Sequence, residues 1–138
     1  MSPSYFLDTN ILIYATSLAA DHAGRRDQAR DWVARTDWGL STQVLMEFYA
    51  NARQARHGLP MDAPRRMVEQ FATCRPVQAM DRELVLETLA LRERHQLCHW
   101  DAAILCAARR LGAHTVISED LSHGQRYGDV TVFNPFLG

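Results

Sequence analysis

Short apolar runs alternate along this chain with longer stretches in which apolar residues recur every three or four positions, a pattern that predicts strands and helices in turn. Tyr5-Phe6-Leu7 reads as a short strand covered on both faces. Behind it Ile11, Leu12, Tyr14 and Ala15 repeat at helical spacing, with Thr9 and Asn10 as N-caps, so a helix starts directly after Asp8. Residues 21–36 predict an amphipathic helix with Ala23, Ala29, Trp32 and Val33 set among Arg25, Arg26, Arg30 and Arg35. Gly39-Leu40-Ser41 ends a second strand, and Ser41 or Thr42 caps a long helix from residue 43 to about residue 57, stopped by Gly58 and Pro60. Residues 63–74, opened by Pro64 and closed by Pro76, form another helix through Met67, Val68 and Phe71. A third strand over 77–80 leads to Asp81, the structural cap of a helix over 82–95 whose buried side is marked by Leu84, Val85, Thr88, Leu89 and Leu91. Residues 99–108 are apolar almost all round, and Arg109, Arg110 and Gly112 supply the cations and the stop of a buried helix. Residues 115–118 are a buried strand running into Glu119-Asp120, and the tail over 127–136 holds a last short strand.

Strands alternating with helices through short connections predict an α/β fold in which a short parallel sheet is sandwiched by helices on both faces. At 138 residues and 47% apolar composition, one domain can bury a core without disulfide or metal staples. Cys74, Cys98 and Cys106 are odd in number and form no CxxC pair, which suits a reduced intracellular protein, with Cys98 and Cys106 as packing residues. No apolar run reaches membrane-spanning length, and the run over 11–20 lacks a preceding cation and has Asp8 at its edge, so a cytoplasmic protein without a secretory leader is expected. A net charge of −1 argues against a histone-like binder of nucleic acid. All 15 Lys and Arg positions are Arg, whose planar fork suits phosphate, although for an overall bias a GC-rich genome is the better account.

Four acids stand at places where the fold would bring them together. Asp8 and Asp120 end strands, at the sheet edge where parallel α/β proteins bind ligands. Asp101 opens the helix before the second of these strands, and Glu47 lies in the helix after Ser41, on a mixed face with Gln43, Val44 and Asn51. Each acid alone reads as well as a helix cap or a surface charge. Four carboxylates converging without Lys repel one another, and a hard divalent cation such as Mg²⁺ or Mn²⁺ resolves that repulsion. Such a centre activates water for displacement at a phosphodiester. His95, Cys98 and His99 have metal-ligand spacing but straddle a helix end, which weakens a transition-metal reading.

The ordered set of Asp8-Thr9-Asn10 after a hydrophobic strand, the helical Glu47, Trp100-Asp101-Ala102-Ala103-Ile104 and Ser118-Glu119-Asp120 resembles PIN-domain ribonucleases. With the tail from His123-Gly124 to Asn134-Pro135-Phe136, it is similar more narrowly to the VapC-type toxins of toxin–antitoxin pairs, along the whole length. The resemblance implies a single PIN-like three-layer sandwich over residues 1–138. It also implies a Mg²⁺- or Mn²⁺-dependent endoribonuclease acting on RNA, dimeric and neutralised by a cognate antitoxin. Under it Asp8, Glu47, Asp101 and Asp120 are the catalytic, metal-binding acids, and Thr9, Asn10 and Ser118 orient waters or ligands around them. Leu121-Ser122-His123 departs from the continuation usual in that family, which leaves Glu119 as a supplement to Asp120 or its replacement. A haloacid-dehalogenase-like phosphatase would want a second Asp where Asn10 stands and a Lys elsewhere. Receiver and P-loop proteins also need Lys, and no GxGxxG run follows a strand. A binding module for RNA or antitoxin, with acids kept for structure, is the alternative from another class. For a homodimer, Trp38, Tyr49 and Met67 are the apolar residues expected on exposed faces.

Overall fold

The computed structural model describes residues 2–137. Its sheet has six strands, β1 (Tyr5–Leu7), β2 (Trp38–Ser41), β3 (Val77–Gln78), β4 (Thr115–Ile117), β5 (Arg126–Tyr127) and β6 (Val130–Phe133), in the order β3-β2-β1-β4-β6-β5. All neighbours are parallel except β5, which folds back antiparallel on β6. That short edge hairpin is absent from the parallel sheet read from the sequence, because Tyr127 and Val130 belong to one apolar tail with only Gly128-Asp129 to turn it.

The helices are α1 (Thr9–Thr16), α2 (Ala23–Ala34), α3 (Thr42–Ala52), α4 (Ala63–Cys74), α5 (Arg82–His95) and α6 (His99–Leu111). From β1 the chain steps outward to β2 and then β3, and it returns past β1 to lay down β4. Right-handed crossovers therefore put α1 to α4 on one face and α5 with α6 on the other, as the packing of α1 on α2 and α3, and of α5 on α6, confirms. Phe6, Leu7, Leu40, Val116 and Ile117 fill the middle layer. Ile11, Leu12, Val44 and Phe48 cover one side, and Ile104 and Leu105 the other. Since β1 runs outward one way and β4 lies on its other flank, the gap at their carboxyl ends is the switch point where such sheets bind ligands.

Several local expectations are corrected. Helix α1 is capped by Asp8, with Thr9 and Asn10 inside its first turn, because Asp8 keeps the extended backbone a cap requires. Ser41, whose Oγ accepts from Val44 N at 3.3 Å, caps α3, leaving Thr42 helical. A 3-10 turn at Ala20–His22 precedes α2, and β3 is two residues long. Helix α3 ends at Ala52, well before residue 57, and a separate 3-10 turn, Ala55–His57, follows. The break has a tertiary cause, the burial of His57 against Ser17. Trp38 is not on the surface. Its indole donates to Val33 O at 3.2 Å under the Arg75 guanidinium. Met67 packs partly on the core, and only Tyr49 of the three is exposed. Cys98 is exposed rather than packed.

Candidate active site

Leu7 and Ile117 pair in register at the ends of β1 and β4, so the residues that follow, Asp8 and Ser118, face each other across the switch point. Both are buried, and Ser118 Oγ donates to Asp8 Oδ2 at 2.7 Å. The other carboxylate oxygen accepts from Thr9 N at 2.7 Å. Burial, only partly offset by these two bonds and reinforced by the charges of Asp120 and Glu47, pushes Asp8 up from 3.8 to about 6. The mutual repulsion expected from the sequence is present, and it is a smaller cause than burial.

The supporting residues bind the remaining acids. Thr9 Oγ1 donates to Glu47 Oε1 at 3.1 Å, and Asn10 Nδ2 donates to Asp120 Oδ2 at 3.0 Å. Asp120 N donates to Ser118 Oγ at 3.1 Å, which ties the β4 end back to Asp8. Asp101, in the first turn of α6, is half-buried and held above its ordinary value by burial and then by Asp120. Helix α6 runs back along the sheet from the carboxyl edge, so its start is where this acid meets the strand ends. Asp8, Glu47, Asp101 and Asp120 line one open cleft of about 350 Å³. Among the described residues none of these four is ion-paired, whereas seven other acids of the chain pair with Arg.

Glu119 is turned away from this group. Tyr14 Oη donates to its Oε1 and Arg25 Nε to its Oε2, each at 2.5 Å, and the Arg25 guanidinium also lies over the rings of Tyr14 and Phe136. No local pattern signals this, since the partners come from helices far from residue 119. The cleft wall beyond Glu47 consists of Asn51, Arg56, His57 and His22, of which only Asn51 is marked in advance, by its spacing from Gln43 and Glu47. His95 packs on Tyr127 and His99 on Trp100, two separate contacts on either side of the α5–α6 turn.

Among the described residues no three His, Cys, Asp or Glu side chains close into a cage around a single point. An all-oxygen cleft open to water nevertheless fits Mg²⁺ or Mn²⁺, because such ions bind through one or two carboxylates and keep several waters. Asp8, with a raised proton affinity and no cationic partner, is the acid such an ion would relieve most.

A family model, the PIN domain, matches residues 5–127. The chain belongs to the PIN domain family. Solved structures with the same fold include a toxin–antitoxin complex from Klebsiella pneumoniae, at 20% identity over 96% of this chain and 98% of that one, with a TM-score of 0.69. The sarcin–ricin loop cleaving toxin VapC20 of Mycobacterium tuberculosis is similar at 18% identity over 85% and 92% of the two chains, with a TM-score of 0.66. DNA-bound VapBC from Salmonella typhimurium is similar at 20% identity over 94% and 96%, with a TM-score of 0.65. No curated protein sequence matches the chain. Identities this low establish a shared PIN fold. Among the described residues no helix is long and apolar enough to cross a membrane.

Proposed function

We propose that this PIN-domain chain is a Mg²⁺- or Mn²⁺-dependent endoribonuclease, a cytoplasmic toxin neutralised by a cognate antitoxin. The observation that carries the reading is the unpaired quartet, Asp8, Glu47, Asp101 and Asp120, in a protein with 15 Arg available to pair with it. Leaving four acids unpaired beside one another is costly unless something positive joins them. A divalent cation held by Asp8 and Asp101, with Glu47 and Asp120 beside them, would supply a reactive water and charge stabilisation at an RNA phosphodiester. Ser118 and Thr9 hydrogen-bond the Asp8 carboxylate, and Asn10 and Thr9 those of Asp120 and Glu47, so these three acids are held in place by the chain's own groups. Single-stranded or looped RNA fits an open cleft better than a duplex does. The fold shared with toxin–antitoxin structures supports a protein antitoxin, and an Arg is the group best suited to fill a carboxylate cluster without metal. A homodimer is proposed through exposed apolar residues of α3, α5 and α6, namely Met46, Val85, Leu86, Leu89 and Trp100.

The deciding experiment incubates the purified chain with single-stranded RNA in Mg²⁺, in Mn²⁺ and in EDTA. Cleavage with either metal and none in EDTA is the expected result. Undiminished cutting in EDTA removes the metal mechanism, and antitoxin binding without any cutting would mean a binding module instead.

A further inference from the structure

Beyond the acids the cleft has a second, differently built end. Asn51 stands one helical turn past Glu47 on α3, about 6 Å along the axis. Its carboxamide is set by a buried relay. Ser17 Oγ accepts from Ala19 N at 3.1 Å and lies 2.7 Å from His57 Nδ1. Asn51 Oδ1, 2.7 Å from His57 Nε2, can only accept, which puts the His57 proton on Nε2 and leaves Nδ1 to accept from Ser17, while Arg56 Nε stands farther off Nε2 at 3.4 Å. Arg56 adds a second donor to that oxygen at 3.3 Å. With the oxygen occupied twice, the Asn51 NH₂ is the end left over, and among the described residues it has no partner. His57 is 1% exposed, and its burial, with the charges of Arg56 and His22, lowers its proton affinity and favours the neutral ring. The segment carrying Ser17 is pinned in turn, by Leu18 N to His57 O at 2.9 Å and by Arg26 to the carbonyls of Ser17 and Ala19.

Arg56 is the one arginine among the residues lining this cleft, and among the described residues no carboxylate lies within ion-pair distance of it. His22, stacked between Tyr14 and His57 in the same wall, has a buried Nδ1 with no partner. A buried polar atom left unpaired at a cleft wall marks a place completed by something other than the chain. The charged and amide groups on offer beside the His22 ring are a guanidinium and an amide NH₂, donors both. They suit anionic oxygen. The step of about 6 Å along α3 from Glu47 to Asn51 is close to the spacing of successive phosphates in an extended strand.

We propose that Asn51 and Arg56 form the subsite for the RNA phosphate next to the one at the acid quartet, with buried His57 and Ser17 as positioning residues that hold the Asn51 amide turned toward it. The inference rests on the nuclease reading for which phosphate is cut, and on the cleft geometry alone for where a phosphate sits. It assigns the strand a path along α3, from Glu47 toward the 3-10 turn at Ala55–His57.

The test measures binding of a labelled single-stranded oligoribonucleotide in EDTA across a salt series, and cleavage of the same oligomer in Mn²⁺, for wild type, Arg56→Gln and Asn51→Ala. Arg56→Gln should weaken binding roughly tenfold and flatten the slope of log affinity against log salt by roughly 0.7, one phosphate's share for a single strand. Asn51→Ala should weaken binding with the slope unchanged, since it removes a neutral donor. In Mn²⁺ both should raise KM more than they lower kcat, Arg56→Gln at wild-type melting temperature and Asn51→Ala at a temperature where both it and wild type are fully folded, since losing the acceptor of buried His57 lowers its melting temperature. Affinity and slope equal to wild type in both variants overturn the proposal. So does weaker binding that only tracks a lowered melting temperature, or a wild type that binds no RNA. A wild type that binds but never cuts removes the nuclease reading, and a flattened slope in Arg56→Gln would still place a phosphate at this end.

Discussion

Asp8 is asked to be both buried and charged, and pH exposes the conflict. Its carboxyl titrates at about 6 in the fold against 3.8 when unfolded. The native state therefore binds this proton more tightly, and the Asp8 contribution to metal-free stability is highest below pH 3.8, declines as pH rises to about 6 and then levels off. The whole loss is about 3 kcal/mol for a single group with that shift. Asp8→Asn should abolish that decline, abolish cleavage, and leave the metal-free protein more stable than wild type above pH 6. Melting curves in EDTA from pH 4 to 8 check this, and a variant less stable than wild type at every pH would mean that Asp8 holds up the fold. Mg²⁺ or Mn²⁺ should raise the wild-type melting temperature by mass action and the variant's much less. Ser118→Ala removes a bond that lowers the Asp8 value, so the wild-type decline should extend to higher pH in that variant. Asp8 and Asp101 were legible in the sequence because each interrupts an apolar stretch next to a strand or helix end. The fate of Glu119 was not, because its partners Tyr14 and Arg25 come from α1 and α2 and no local pattern links them to residue 119.

Among the elements, β2 has the least room. A Cβ built on Gly39 would stand 2.9 Å from Pro76 O and 3.0 Å from Leu111 Cδ1, and the first of these is backbone of the next strand's lead-in, which also accepts from Leu40 N. Gly39→Ala should therefore push β2 from β3 and cost about 1–3 kcal/mol, read as a fall in the denaturation midpoint with the slope unchanged. An unchanged midpoint would mean that β3 yields freely. Strand and helix order was readable except for β5, since continuous apolar runs and helical spacing report burial within an element. What such spacing cannot report is how wide a covering partner is. Helix α5 shows the limit. Leu84, Val85, Thr88, Leu89 and Leu91 share a side by periodicity, yet α6 covers Leu84 and Thr88 and leaves Val85 and Leu89 43% and 47% exposed. The reverse error at Trp38 has the same origin, because its cover comes from Val33, Phe71 and Arg75 on other elements.

For the molecule as a whole, those uncovered residues lie beside the cleft. Met80 and Trp100 line two adjoining surface grooves, one shared with Met46 and the other with Val85 and Leu89, so the apolar surface is continuous across α3, α5 and α6. Met46 is 69% and Trp100 53% exposed, and each is the sequence neighbour of an acid of the quartet. A continuous exposed patch of this kind marks an interaction surface. A second copy of the same chain meets it most economically by a two-fold axis, under which each apolar face covers the other and both clefts open near the seam. A stable pair needs roughly 800 Å² from each partner, so the whole strip must take part and one charge in its middle should be enough to prevent closure. Leu89→Glu is that charge, at a site too exposed for the fold of one chain to depend on it. Sedimentation at micromolar concentration should find wild type as a dimer and Leu89→Glu as a monomer whose melting temperature no longer rises with protein concentration, as the wild type's does. A monomeric wild type, or a variant that stays dimeric, would place the dimer elsewhere or remove it.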